Sequence, residues 1–127
     1  MFDGIYHIGY WTDDIGAAVK LYQTVFGSEV FQEDVAANGN KLVYLHVGKT
    51  DVELIEPADK SVLGGQTGVI IHHVGYLVPD IEAAMAELRA KGVTFQTEAP
   101  YATATGARII YLNTDSTDGA RIHLSQI

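Results

Sequence analysis

One twelve-residue pattern occurs twice in this chain, identical at seven positions. The segment His7–Ala18, HIGYWTDDIGAA, returns as His73–Ala84, HVGYLVPDIEAA, with His, Gly, Tyr, Asp, Ile, Ala and Ala unchanged. A repeat at one offset in 127 residues means two copies of one supersecondary unit, and such units bury their apolar faces only by packing with one another.

The unit can be read from its periodicities. Gly4–Trp11 alternates and is rich in Ile and Tyr, which predicts a strand. Asp13 and Asp14 offer helix N-caps; Ile15, Ala18, Val19, Tyr22 and Phe26 follow at helical spacing, and Gly27 marks the stop. The second half repeats the order, with a strand over Ile70–Val78, a cap at Asp80, an apolar stripe of Ile81, Ala84, Met85 and Leu88, and a stop at Gly92. Three strands are expected after each helix: Glu29–Asp34, Lys41–Val47 and Asp51–Glu56, then Thr94–Glu98, Ala107–Asn113 and Ala120–Ser125. Turns are expected at Asn38–Asn40, at Gly48-Lys49, near Gly106 and over Ser116–Gly119. The expected fold is α+β: two βαβββ modules, about residues 1–57 and 68–127, joined by a polar linker over 58–67 within one domain. Their paired mixed sheets are expected to enclose a cleft.

Strand alternation then selects residues for that cleft. His7 and His73 occupy equivalent positions on the two opening strands. Val52-Glu53-Leu54 corresponds to Ile122-His123-Leu124 on the closing strands, so Glu53 and His123 sit between apolar neighbours that face the helices. All four polar groups therefore point to the opposite face. Each would be costly to bury alone, the carboxylate most of all. A shared first-row divalent metal would satisfy histidine nitrogen and carboxylate oxygen together, so His7, Glu53, His73 and His123 are the candidate metal ligands.

Composition removes other classes. The net charge is −8 and the eight basic residues are scattered, which argues against nucleic-acid binding. The absence of cysteine excludes disulfides, thiolate metal sites and thiol nucleophiles. No apolar run approaches about 18 residues and the N-terminus lacks the pattern of a signal peptide, so no membrane association and a cytoplasmic location are expected.

The doubled βαβββ order, with a histidine on the first strand and a metal-binding position on the last strand of each half, resembles the vicinal oxygen chelate (glyoxalase/bleomycin resistance/dioxygenase) superfamily over nearly the whole chain. Within it the sequence looks most similar to methylmalonyl-CoA epimerase. The residues that carry this are His72-His73, Asp80–Ala84, Lys91-Gly92-Val93 and Ser116-Thr117-Asp118-Gly119. Glyoxalase I is similar in its first-half ligands but usually carries an Asp-Pro-Asp-Gly-type turn that is absent here.

The resemblance implies one divalent ion (cobalt, nickel, zinc, manganese or iron) on His7, Glu53, His73 and position 123. The last ligand of both subfamilies is a glutamate that also transfers protons, and this chain has His123 instead. A metal-bound imidazole has committed its lone pair and is a poor base, so Glu53 and His123 are both candidate catalytic residues. The family's lysine and proline near the closing turn are also missing; that stretch reads Asn113-Thr114-Asp115. The implied activity is isomerase or epimerase chemistry: proton abstraction beside a carbonyl, on a small substrate with adjacent oxygens, possibly an acyl-CoA. The implied assembly is a homodimer. The alternatives are a glyoxalase I-like lyase, a non-haem Fe(II) dioxygenase using His7, Glu53 and His73, and a metal-free small-molecule binding protein.

Overall fold

A computed structural model describes residues 1–127. Eight strands and two helices follow in the order β1 (Gly4–Thr12), α1 (Ile15–Phe26), β2 (Val30–Val35), β3 (Lys41–Val47), β4 (Thr50–Glu56), β5 (Val69–Leu77), α2 (Ile81–Ala90), β6 (Tyr101–Ala102), β7 (Arg108–Tyr111) and β8 (Ile122–Gln126). This is βαβββ twice. The strands are ordered β2-β3-β4-β1 in the first module and β5-β8-β7-β6 in the second. No helix is long and apolar enough to cross a membrane.

The chain divides into two compact units, His7–His72 and Met1–Tyr6 with His73–Ile127; the divisions fall within β1 and β5. In the first, β1 runs parallel to β4, with Gly9 opposite Glu53, and β4 pairs antiparallel with β3, with Tyr44 opposite Glu53. The α1 helix starts where Asp14 accepts from the Ala17 amide and ends where Gly27 takes a left-handed conformation at φ 62°. Its inward residues Ala18 and Tyr22 pack with Val43, Leu45, Val52 and Leu54. That packing fixes which face of β3 and β4 is apolar. Tyr44 and Glu53, one residue out of phase, are left on the other face. Asp13 does not cap the helix; its carboxylate accepts from the Gly68 amide at 2.7 Å. The linker contains one 3-10 turn, Lys60–Leu63, closed by Gly64.

The second unit repeats the plan. β5 runs parallel to β8, with Gly75 opposite His123, and β8 pairs antiparallel with β7, with Tyr111 opposite His123. Asp80 caps α2, whose Ile81, Ala84 and Met85 pack with Val78, Ile110, Leu112 and Leu124. The strand expected over Thr94–Glu98 is reduced to a single bridge between Phe95 and Leu112, and the outer strand is the short Tyr101–Ala102 instead. Side chains displace the ladder there. The Asn113 amide donates to the Phe95 carbonyl at 3.1 Å, and the Thr97 hydroxyl donates to the Ala99 carbonyl at 2.9 Å just before Pro100. The turn before β8 lies where expected, with Asp118 and Gly119 both at positive φ.

Candidate metal centre

The arrangement around His123 follows from strand register. His123 is fully buried on β8, and its Nδ1 lies 2.9 Å from the Ser125 hydroxyl oxygen, two residues along the same strand face. Gly75 lies opposite on β5. A Cβ at that position would fall 2.3 Å from His123 Cε1 and 2.8 Å from Nε2, so the imidazole occupies space that only glycine leaves open. The His73 ring packs 5.1 Å from that of His123, and Tyr111 presents edge-on contacts to both, at 5.7 and 5.0 Å between centroids. Burial holds the His123 pKa down at about 4, so the ring is neutral at physiological pH.

The corresponding positions of the other unit carry Tyr44 and Glu53. Burial raises the Glu53 pKa above the ordinary carboxylate value, and a hydrogen bond donated by the Tyr44 hydroxyl opposes that rise. The pair Tyr44–Glu53 is thus the first-half counterpart of Tyr111–His123. Further along the same face, His46 Nδ1 meets the Asp51 carboxylate at 2.6 Å and the His46 ring stacks on Phe31 at 4.1 Å.

His7, His73 and His123 are all buried, and each offers one ring nitrogen within 4.8 Å of the others. Glu53 does not belong to this closely spaced group. Three buried imidazoles with converging nitrogens are a donor set suited to zinc, iron, nickel or copper, and their desolvation would be offset by a shared cation. The residues present therefore fit a first-row divalent metal.

Tyr44 bonds to Glu53, and Tyr111 packs against His73 and His123. Tyr111 was not singled out from the sequence, yet KLVYLHV and RIIYLNT set Tyr44 and Tyr111 at equivalent positions, so the repeat carried the signal. Gly75 was legible only as a conserved letter of the repeat, and its close approach to His123 needed the register. His72, on the face opposite His73, stacks on Trp11 at 4.5 Å. Arg108 pairs with Glu82 on the surface.

Comparison with known proteins places this geometry in a family. Residues 6–111 match the Glyoxalase/Bleomycin resistance protein/Dioxygenase superfamily, and the chain belongs to it. It is 26% identical to the ethylmalonyl-CoA/methylmalonyl-CoA epimerase of Cereibacter sphaeroides over the full length of both chains. It is 28% identical to the mitochondrial methylmalonyl-CoA epimerase of Dictyostelium discoideum, over 94% of this chain and 76% of that protein. Among solved structures, a variant of the Streptomyces coelicolor methylmalonyl-CoA epimerase in complex with 2-nitronate-propionyl-CoA superposes with a TM-score of 0.85. That pair shares 27% identity over 99% of this chain and 98% of the other. A methylmalonyl-CoA epimerase in complex with methylmalonyl-CoA and NH4+ gives a TM-score of 0.86 at 27% identity, over 99% and 95%.

Proposed function

We propose that this chain is a metal-dependent epimerase of 2-alkylmalonyl-CoA-type thioesters. The observation that carries the reading is a buried three-histidine group in a chain that aligns end to end with a named ethylmalonyl-CoA/methylmalonyl-CoA epimerase. The carbon to be inverted in such a substrate lies between a thioester carbonyl and a carboxylate, so its proton is unusually acidic and its two flanking oxygens are adjacent. His7, His73 and His123 would hold the ion. A bound divalent metal supplies Lewis acidity toward those oxygens.

Glu53 is the base in this reading. It stands outside the three-histidine group, and burial has moved its pKa toward working pH, which strengthens it as a proton acceptor. The Tyr44 hydroxyl, donating to the carboxylate, keeps one Oε oriented and limits the rise in pKa. His123 is a nitrogen donor, not a base, because its Nδ1 is engaged by Ser125. The dioxygenase alternative loses support because it draws on His7, Glu53 and His73, whereas the third close donor is His123. The family resemblance extends the proposal to a homodimer working in the cytoplasm, the first of which sedimentation equilibrium would test.

The deciding experiment incubates the purified chain, loaded with Co2+ or Zn2+, with methylmalonyl-CoA and ethylmalonyl-CoA in D2O. Mass spectrometry then follows deuterium at C2. The expected result is rapid exchange and epimerisation, lost on chelation and reduced about 10²- to 10⁴-fold by Glu53→Gln with the metal retained. Exchange no faster than in buffer for both thioesters would overturn the proposal.

A further inference from the structure

We propose that His46, held by Asp51, is the second proton-transferring residue of the reaction: it protonates C2 on the face opposite Glu53. The inference deepens the epimerase reading above and rests on Glu53 being its base.

Inversion at C2 needs two groups. A single carboxylate that removes the proton and returns it restores the starting configuration, so a second donor must stand on the other face of the planar enolate. Position 123 carries a histidine whose Nδ1 is engaged by Ser125, so the donor has to come from elsewhere. Of the five histidines, three form the metal group and His72 stacks on Trp11. His46 remains.

Its place follows from register. β3 and β4 pair Tyr44 with Glu53 and His46 with Asp51, so these four side chains share one sheet face and His46 is the diagonal neighbour of Glu53. Diagonal neighbours in an antiparallel pair lie about 7–8 Å apart, and their Cβ atoms somewhat closer. That gap leaves about 3–3.5 Å on each side of a planar carbon standing between the two groups, the separation that reacting atoms need.

The chemistry of the pair fits the role. His46 Nδ1 meets Asp51 Oδ1 at 2.6 Å, and a carboxylate only accepts, so Nδ1 carries a hydrogen. The Phe31 ring stacks on the imidazole at 4.1 Å and 11° and packs on Tyr44 at 6.1 Å, which fixes the plane of the His46 ring. The His46 side chain is 55% exposed, so Nε2 is the edge that meets substrate or solvent. In the imidazolium form Nε2–H is the acid. The Glu53 carboxylate takes the C2 proton, and the C–H electron pair passes into the enolate. The Nε2 proton then moves to C2 from the other side as the new C–H bond forms. Glu53 is left protonated and His46 neutral, and proton exchange with water restores both.

The test uses the Co2+-loaded full chain and one C2 epimer of ethylmalonyl-CoA in D2O, the epimer whose exchange Glu53→Gln abolishes. Mass spectrometry reads deuterium at C2, and circular dichroism reads inversion. His46→Gln should keep C2–H exchange near the wild-type rate, now with retention, while inversion falls about 10²- to 10⁴-fold. Asp51→Asn should shift the same ratio by less. Co2+ uptake by both variants should match wild type, as it must if fold and metal group are intact. Exchange and inversion falling together in His46→Gln, inversion at the wild-type rate, or loss of Co2+ would each overturn the proposal. A wild type that exchanges neither epimer overturns the reaction itself, and this inference with it.

Discussion

Adding one methyl group at position 75 tests the close packing of the site more severely than removing a ligand would. The Cβ of Gly75→Ala would sit 2.3 Å from His123 Cε1, 2.8 Å from Nε2 and 2.9 Å from Nδ1. Carbon atoms in contact prefer about 3.5 Å or more, so the ring must retreat by roughly 1 Å. It cannot do so freely, because Ser125 and the β8 backbone hold it and the site is fully buried. Forcing a methyl group into such packing costs about 1–3 kcal/mol. For a chain of this length that corresponds to a fall in Tm of roughly 3–12 °C, measured on chelator-treated protein by circular dichroism. Metal binding should suffer more than folding does. Ligand distances tolerate only about 0.2 Å, so a ring displaced by about 1 Å drops out of the donor set and the chain keeps two close histidines. The control is Gly75→Ala combined with His123→Ala, where the obstructing ring is absent and the methyl enters the space it vacates. The double variant should melt no lower than His123→Ala alone. If Gly75→Ala instead destabilises both backgrounds equally, the collision with His123 is not the cause and the reasoning fails.

Two further outcomes follow from burial. The His123 pKa is about 4 in the folded chain and near 6.5 when unfolded, so between those values the unfolded state binds the extra proton and stability rises with pH. Metal-free protein should therefore lose about 3 kcal/mol from this residue as pH falls from 6.5 to 4, relative to His123→Gln, in urea melts at several pH values; Glu53, with its raised pKa, contributes in the opposite sense in both proteins. Parallel wild-type and His123→Gln profiles would refute this. Leu54 is wholly buried against α1 immediately beside Glu53, so Leu54→Ala should cost about 2–5 kcal/mol of stability and loosen the base, which a urea melt and the deuterium assay would report together.

Much of this was legible before any coordinates. The repeat dictated βαβββ twice, and the caps at Asp14 and Asp80 and the stop at Gly27 fell where the pattern set them. Alternation alone placed Glu53 and His123 opposite the helix-facing Val52, Leu54 and Leu124. What failed was Thr94–Glu98. Its period-two pattern is real, but pairing there competes with bonds from Asn113 and Thr97 that lie outside any periodicity. The partners of the site residues were equally hidden. That Tyr44 faces Glu53, or that Gly75 lies beneath His123, depends on interstrand register, which a sequence of this kind sets only once the sheet has formed.

The departure at position 123 also bears on the division of roles proposed above. The family resemblance implied a last-strand glutamate that is both ligand and proton carrier; this chain has His123 there, with one ring nitrogen engaged by Ser125, and in the proposed reading it serves as a ligand alone. The carboxylate proposed as the base stands on the closing strand of the first module. There Tyr44 stands to Glu53 as Tyr111 stands to His123, so the two modules present the same frame with opposite chemistry: one partner is an acid whose pKa burial raises, the other a base whose pKa burial lowers. Desolvation thus leaves the imidazole neutral, as a metal donor must be, and makes the carboxylate a better proton acceptor. One physical effect, applied through a duplicated scaffold to two residue types, moves the two groups in opposite directions, as the proposed split between ligand and base requires.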